Sequence, residues 1–316
     1  MKIFVTGATG HVGSYLLPRL IRAGHQVIAC ARSATPKYQK EAMEWDQVEW
    51  LINDMRADEE QGLLTDKLKR IDCDAVIDLI SFTPQQNQML VDAFIGRVKH
   101  FIHCGTIWAY GPSDRVPHRE DDVQNPTSDY GKAKSCIEKT LMELHHRKAF
   151  PVSIIRPGHI SAKEWLPIDP QGSRNGMGVY EKLSTGQLVA LPWNGMSALH
   201  HVHADDVAQL FELAIANPQQ AIGERFNAAA PYGMTLKGCC HAVAAYFCKE
   251  ANLDFVSLEE FKNTLGEQAY NTAFSHMEQS VIVSIDKAVQ RLGYKPNYST
   301  EEIYEEFLRH SFPNQN

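Results

Sequence analysis

The stretch "KIFVTGATGHVG" constrains the fold more than any other part of the chain. An apolar run leads directly into glycines at 7, 10 and 13, and the third of them opens a helical pattern. A sharp turn after a strand often needs positive φ, which glycine tolerates without a Cβ penalty. A turn without side chains also lets backbone N–H groups approach an anion at a helix N-terminus. Strand, glycine turn and helix in that order mark the first unit of a dinucleotide-binding sheet. Gly7, Gly10 and Gly13, with Thr9, His11 and Val12 between them, are therefore candidate cofactor-binding residues.

The alternation continues for about half of the chain. The apolar runs are "KIFVTG", "QVIACA", "VEWLIN", "DAVIDLIS", "KHFIHCG" and "PVSIIRP". They lack a strict in–out pattern, as strands buried on both faces do. Helical patterns separate them, at His11–Ala23, around Gly62–Arg70, at Pro84–Gly96 and at Ser128–His146. This predicts an α/β fold, a Rossmann-type doubly wound parallel sheet with helices on both faces. After Arg156 the chain becomes rich in Pro and Gly and reads as a loop region. A strand-like "LHHVHA" and a helix at Val207–Ala216 follow. Three more helices are expected near Leu236–Lys249, Ile285–Leu292 and Thr300–His310. The expected division is a dinucleotide-binding domain of residues 1–160 plus roughly 200–228. A smaller mixed substrate domain takes roughly 161–199 plus 229–316.

Composition narrows the function classes. A net charge of -7 argues against a nucleic-acid binder, which usually carries a basic face. Seven cysteines without a C-x-x-C pair suggest reduced thiols rather than a disulfide framework or a zinc site. His200, His201 and His203 lack a carboxylate-rich set around them, so no metal is expected. With no long apolar run, and a first strand that starts at the N-terminus, the expectation is a cytoplasmic protein without a membrane partner.

Two further features point to chemistry. An NAD site usually carries an acid after the second strand, to bind the ribose 2′-OH. Residues 1–40 contain neither Asp nor Glu, and Arg32 stands at that point. A guanidinium there suits a 2′-phosphate, so NADP is preferred and NAD stays possible. The other reading of Arg32 is a solvated loop charge. In "DYGKAK", Tyr130 and Lys134 are four residues apart, so in a helix they share a face. A nearby ammonium would lower the pKa of the phenol and make it a usable acid or base. Thr106, after the fifth strand, supplies a hydroxyl at the edge where such sheets bind ligands.

These motifs together resemble the extended short-chain dehydrogenase/reductases, in the NAD(P)-dependent epimerase/dehydratase branch. "TGATGHVG", Thr106 ahead of "AYG", "YGKAK", "NDM", "IRPG", "HADDVA" and "LGYKP" stand in that family's order over nearly the whole chain. The resemblance implies Tyr130 as the acid/base. It implies Lys134 as the modifier of its pKa and a ligand of the nicotinamide ribose, and Thr106 as the hydroxyl that orients substrate. It places Asp54 and Met55 at the adenine, and Ile80 and Ser81 beside the cofactor ribose. Pro157, Gly158, His159 and Ile160 would border the nicotinamide. The substrate would be a small molecule with a hydroxyl or carbonyl group. A homodimer through the Pro84–Gly96 and Ser128–His146 helices is likewise an implication of the resemblance.

The departures from the family pattern are also informative. Ile107 and Trp108 follow Thr106, where deoxy-sugar dehydratases have Asp-Glu. Arg156, Pro157, Gly158 and His159 replace an Arg-Tyr-Phe-Asn-like run, and Leu199 stands where sugar-nucleotide epimerases place an arginine clamp. "HMEQSVIVSID" lacks a second such arginine. A diphosphate without guanidinium partners is poorly held. The leading expectation is hydride transfer to or from a secondary alcohol or ketone. A sugar or sugar-nucleotide epimerase with tightly bound cofactor is the alternative. An NADP-sensing or RNA-binding scaffold is the alternative outside enzymes. Trp108, Trp165, Trp193 and His159 either line an aromatic pocket or pack in the core.

Overall fold

The computed structural model describes residues 1–313. All six apolar runs form parallel strands of one sheet. They are β1 (Lys2–Thr6), β2 (Gln26–Ala31), β3 (Glu49–Ile52), β4 (Ala75–Asp78), β5 (His100–Cys104) and β6 (Val152–Pro157). A seventh strand, β7 (Arg225–Ala228), pairs with β6, and the spatial order is β7-β6-β5-β4-β1-β2-β3. Chain direction across the sheet reverses between β1 and β4. The crevice at the carboxyl ends of those two strands is where such sheets take ligands.

Helices cover both faces, which explains the apolar runs. Ile3 and Val5 of β1 face a core shared with α1 (Gly13–Arg22) and the helix Ala204–Ala216. Phe4 faces a second core shared with α3 (Leu64–Lys69), α4 (Pro84–Phe94) and α5 (Asp129–Lys148). Between β3 and α3 lies the short helix α2 (Met55–Glu60), which the sequence reading did not expect.

A separate apolar core lies in the later part of the chain. Ile168, Tyr180, Leu191 and Leu199 pack there with Cys239, Phe261, Tyr304 and Leu308. Helices at Gly178–Ser184, Leu258–Leu265 and Glu267–Gln279 contribute to it and were not anticipated. Ala288, Leu292 and Tyr294 instead join the core beneath the sheet, so this part of the tail packs with the larger unit. The expected loop after Arg156 contains a strand, His159–Ser161, paired in parallel with His201–His203. Among the described residues, no helix is long and apolar enough to cross a membrane.

The histidine cluster is held by separate partners. His200 Nε2 lies 2.9 Å from the Ala230 carbonyl, His201 Nε2 lies 3.1 Å from that of Ile168, and His203 Nε2 lies 2.9 Å from Glu306. Among the described residues, no group of three His, Cys, Asp or Glu side chains could hold a metal ion.

Candidate active site

A cleft opens at the β1–β4 switch point and has two lobes. The wider lobe, about 410 Å³, extends from Gly7 past Thr9 to Arg32, Asp54 and Met55. The narrower lobe, about 290 Å³, runs from the glycine loop past Val12 to Thr106, Tyr130 and Lys134. Gly7, Gly10, Ile80 and Phe82 border both lobes, so they form one continuous groove.

The glycines are needed for steric reasons. Gly7 has φ +70°, and a Cβ there would run into Ile80. A Cβ on Gly13 would meet the Ala8 carbonyl. Helix α1 starts after Val12 with no side-chain cap and no acid in its first turn. The Ser14 and Tyr15 N–H groups pair with the Gly10 and Val12 carbonyls (both 3.0 Å), whereas those of His11, Val12 and Gly13 have no backbone partner among the described residues and remain for an anion in the groove. The His11 side chain turns across the loop. It stacks on Trp165 with ring centroids 3.5 Å apart, and its Nδ1 lies 2.6 Å from the Tyr38 hydroxyl. Burial, with Lys37 and Arg174 nearby, lowers its pKa to about 3, so the ring is neutral.

The wider lobe is positively charged. Arg32, Lys37 and Arg56 all line it, with Ser33 and Thr35 beside them. Asp54 also lines it, but its Oδ1 accepts from the Arg56 N–H (3.0 Å) and the Ala57 N–H (3.4 Å) as the N-cap of α2. Lys37 and Arg56 were missed in the sequence. Their signal was available, since both follow closely on features already singled out, Arg32 and "NDM".

Three elements meet at the end of the narrower lobe. Thr106 follows β5 and accepts a hydrogen bond from the Trp108 N–H (3.3 Å). Tyr130 and Lys134 lie in α5, which Ser128 caps by accepting from the Gly131 N–H (3.1 Å). The two side chains share a face but differ sharply in exposure. Tyr130 is 42% exposed while its oxygen is surrounded by protein atoms, and Lys134 is 2% exposed. The Lys134 ammonium donates to the carbonyls of Ser81 and Cys104, both at 2.7 Å.

This corrects one expectation. Lys134 was expected to lower the pKa of Tyr130. Instead burial raises that phenol to about 12, Cys104 and Glu138 add to the rise, and only Thr106 opposes it. The physical reason is burial of the phenol, while the ammonium donates to the two strand-end carbonyls. Burial also lowers its own pKa, against the pull of Cys104, Asp78 and Glu138.

The remaining expected residues divide. Pro157, Gly158 and Ile160 line the narrower lobe, and Ile80 borders both lobes. A Cβ on Gly158 would meet the His200 carbonyl, so the chain passes close to its neighbour there. Ser81 is buried and meets the site through its carbonyl, which Lys134 occupies. His159 turns away from the groove into an aromatic cluster with Trp108 (centroids 6.3 Å) and His276 (5.0 Å). Trp165 lines the groove, whereas Trp193 is exposed elsewhere.

The sequence reading also missed the support beneath the site. Asp78, at the end of β4, is fully buried and accepts from Ile80 N–H (3.2 Å), Ser81 N–H (3.0 Å) and Asn87 (3.2 Å). The two N–H groups share Oδ1, and His103 Nδ1 lies 2.8 Å from Oδ2, the oxygen that also accepts from Asn87. On β6, buried Arg156 donates to Glu138 of α5 (2.7 and 2.9 Å) and to the Tyr110 hydroxyl (2.6 Å). These two networks lock the 79–81 turn and helix α5 onto the strand ends.

A sequence model of the NAD dependent epimerase/dehydratase family matches residues 3–229. The chain belongs to that family. Membership makes it an NAD-dependent enzyme of the epimerase/dehydratase group. It is 24% identical over 310 residues to the chloroplast stem-loop binding protein of 41 kDa b from Arabidopsis thaliana, covering 95% of this chain and 76% of that one. It is 22% identical over 334 residues to a UDP-glucose 4-epimerase of Lacticaseibacillus casei, covering 94% and 92%. Among solved structures it resembles the UDP-glucose 4-epimerase of Thermotoga maritima with UDP-glucose. That match has a TM-score of 0.73 at 20% identity and covers 100% of each chain.

Proposed function

We propose that this family member transfers hydride between C4 of a nicotinamide nucleotide and a secondary alcohol or ketone, with NADP preferred to NAD. The observation that carries this is the meeting of Thr106, Tyr130 and Lys134 at one end of a groove that starts at an uncapped helix and a glycine turn. The groove fits a dinucleotide because Gly7 and Gly13 keep side chains out of the loop, and the N–H groups of His11, Val12 and Gly13 have no backbone partner among the described residues. The bound nicotinamide would supply or accept the hydride.

Tyr130 handles the proton. With its phenol raised to about 12, it is protonated at neutral pH and ready to give its proton to a carbonyl oxygen during reduction. Thr106 holds the same oxygen and favours the charged phenolate that results. Lys134 fixes the Ser81 and Cys104 carbonyls, and an ammonium has three donors. The third remains for a cofactor ribose hydroxyl. At the far end, Arg32, with Lys37 and Arg56, favours a 2′-phosphate. Residues from roughly 161–199 and 229–313, whose second core includes Tyr304 and Leu308, supply the substrate side, apart from Ala288, Leu292 and Tyr294, which pack with the larger unit.

The full-length structural match to a UDP-glucose 4-epimerase favours a second reading, in which the same half-reaction runs twice on a retained cofactor. Leu199 weighs against a nucleotide-sugar substrate, because it is buried in the second core opposite Met234. The test is a screen of ketones and aldehydes with NADPH deuterated at C4. Deuterium in a product alcohol supports the reductase. Deuterium in no product, with cofactor retained through purification and sugar epimers formed, replaces it with the epimerase.

A further inference from the structure

Among the described residues, Arg174 is a partly buried cation near the groove without a carboxylate partner. Its Nη2 donates to the Ile160 carbonyl (3.0 Å), and its guanidinium lies over the Trp165 ring, 4.9 Å from the centroid. Its buried Nε has no acceptor among the described residues. The neighbouring phenols of Tyr180 and Tyr304 are held protonated by burial, and burial opposes the guanidinium's charge. His11, His159, His201 and His276 are all close enough to feel it, and none can balance it. A desolvated cation without a counter-charge costs stability, which a packed apolar residue would avoid.

Its position relates it to the reaction. Ile160 and Trp165, the two residues it touches, both line the narrower lobe. From Tyr130 a wall of neutral rings leads away from the groove, through Trp108 (6.4 Å) to His276 (5.2 Å) and His159. The chain beyond Arg174 leaves space, since a Cβ on Gly176 or Gly178 would meet nothing within 4 Å.

We infer that the substrate carries an oxyanion, a carboxylate or a phosphate set apart from its reacting carbon, and that Arg174 receives it. This rests on the hydride-transfer reading. The substrate's carbonyl lies at Tyr130, the neutral rings cover its middle, and the guanidinium fork takes two oxygens of its anionic end. Carboxylate and phosphate present the same paired oxygens, so the chemistry is shared.

The test uses two matched pairs of ketones with NADPH. They are 4-oxopentanoate against its methyl ester, and dihydroxyacetone phosphate against dihydroxyacetone. Within at least one pair the anion should exceed the neutral ketone in kcat/KM, and the pair that responds identifies the oxyanion. Arg174→Gln should abolish that advantage through KM, roughly 10- to 100-fold, and leave the neutral ketone within about 3-fold. Arg174→Lys should restore part of it. Equal use of anion and neutral ketone, or an equal loss for both in Arg174→Gln, overturns the inference and leaves Arg174 a packing residue. Should none of the four be reduced, quenching of tryptophan fluorescence in the NADPH complex gives the answer. Anion binding that Arg174→Gln removes upholds the oxyanion site while counting against hydride transfer. No binding of either anion at millimolar concentration overturns it.

Discussion

Lys134→Met tests whether this lysine is a structural pin as well as part of the site. Its ammonium is buried and bridges two strand-end carbonyls, of Ser81 and Cys104, each at 2.7 Å. Methionine removes the donor and fills much of the same volume. Two buried carbonyls then lose their partner, at roughly 1–3 kcal/mol each. Asp78 and Glu138 also lose a nearby opposite charge. Relief from burying the ammonium works the other way, since burial is the first cause of its lowered pKa. The net expectation is a loss of about 2–4 kcal/mol, which lowers Tm by roughly 3–6 °C in a chain of this size. Lys132→Met, whose side chain is 59% exposed two residues away on α5, should change stability by less than about 0.5 kcal/mol. Thermal melts of the three proteins decide the matter. If Lys134→Met melts with the wild type, the buried bridge has no energetic role and the account of this lysine fails.

Three other outcomes follow from the same geometry. Arg32→Ala should weaken NADP binding roughly 10- to 100-fold and leave NAD binding within about 3-fold, read by calorimetry with both nucleotides. With the Tyr130 phenol at about 12, the rate of ketone reduction should stay level up to about pH 10. Alcohol oxidation, which needs the phenolate, should rise about tenfold per pH unit from 7 to 10, and a reduction profile that breaks below pH 9 contradicts the raised value. His100, His200 and His276 each titrate near 4 because they are buried, below histidine's free value of about 6.5, so the unfolded chain binds more protons as pH falls through that window. Stability is therefore full above pH 6.5 and drains below it, by ~1.4 kcal/mol per histidine at pH 5.5. His11 and His201, lowered to about 3, drain the same way, and Asp206, raised to about 6 by burial, returns only ~0.8 kcal/mol, so the free energy of unfolding from urea titrations should be lower at pH 5.5 than at pH 7.5 by more than ~3 kcal/mol.

Much of the larger unit was legible because its signals are local. Strands buried on both faces are apolar throughout, and a turn that excludes every Cβ must be glycine. The seventh strand left no such mark. "RFNA" holds its place through Asn227, which accepts from Tyr110 (2.8 Å) and donates to the Ser284 carbonyl (3.0 Å), both distant in sequence. The helix Leu258–Leu265 did carry a local signal, a capping box between Ser257 and Glu260 that the sequence reading passed over. At the site, helical spacing placed Tyr130 and Lys134 on one face. It could not tell that packing of α5 on the strand ends would draw the lysine inward to Ser81 and Cys104. Nor could it tell that His159, next to residues that line the groove, would turn toward His276. Asp78 and Arg156 sat inside apolar runs, where a charge becomes meaningful only once its partners His103 and Glu138 are brought beside it.

The central claim is that Tyr130 moves the proton of a hydride-transfer reaction. Tyr130→Phe keeps the ring beside Trp108 and Phe82 and removes only the hydroxyl. The direct measurement is the turnover of this variant beside wild type, on whichever ketone the NADPH screen finds, together with calorimetry of NADPH binding. The account predicts a rate lower by roughly 10²–10⁴-fold with NADPH affinity within about 3-fold. A Tyr130→Phe enzyme that reduces the ketone at the wild-type rate would contradict it.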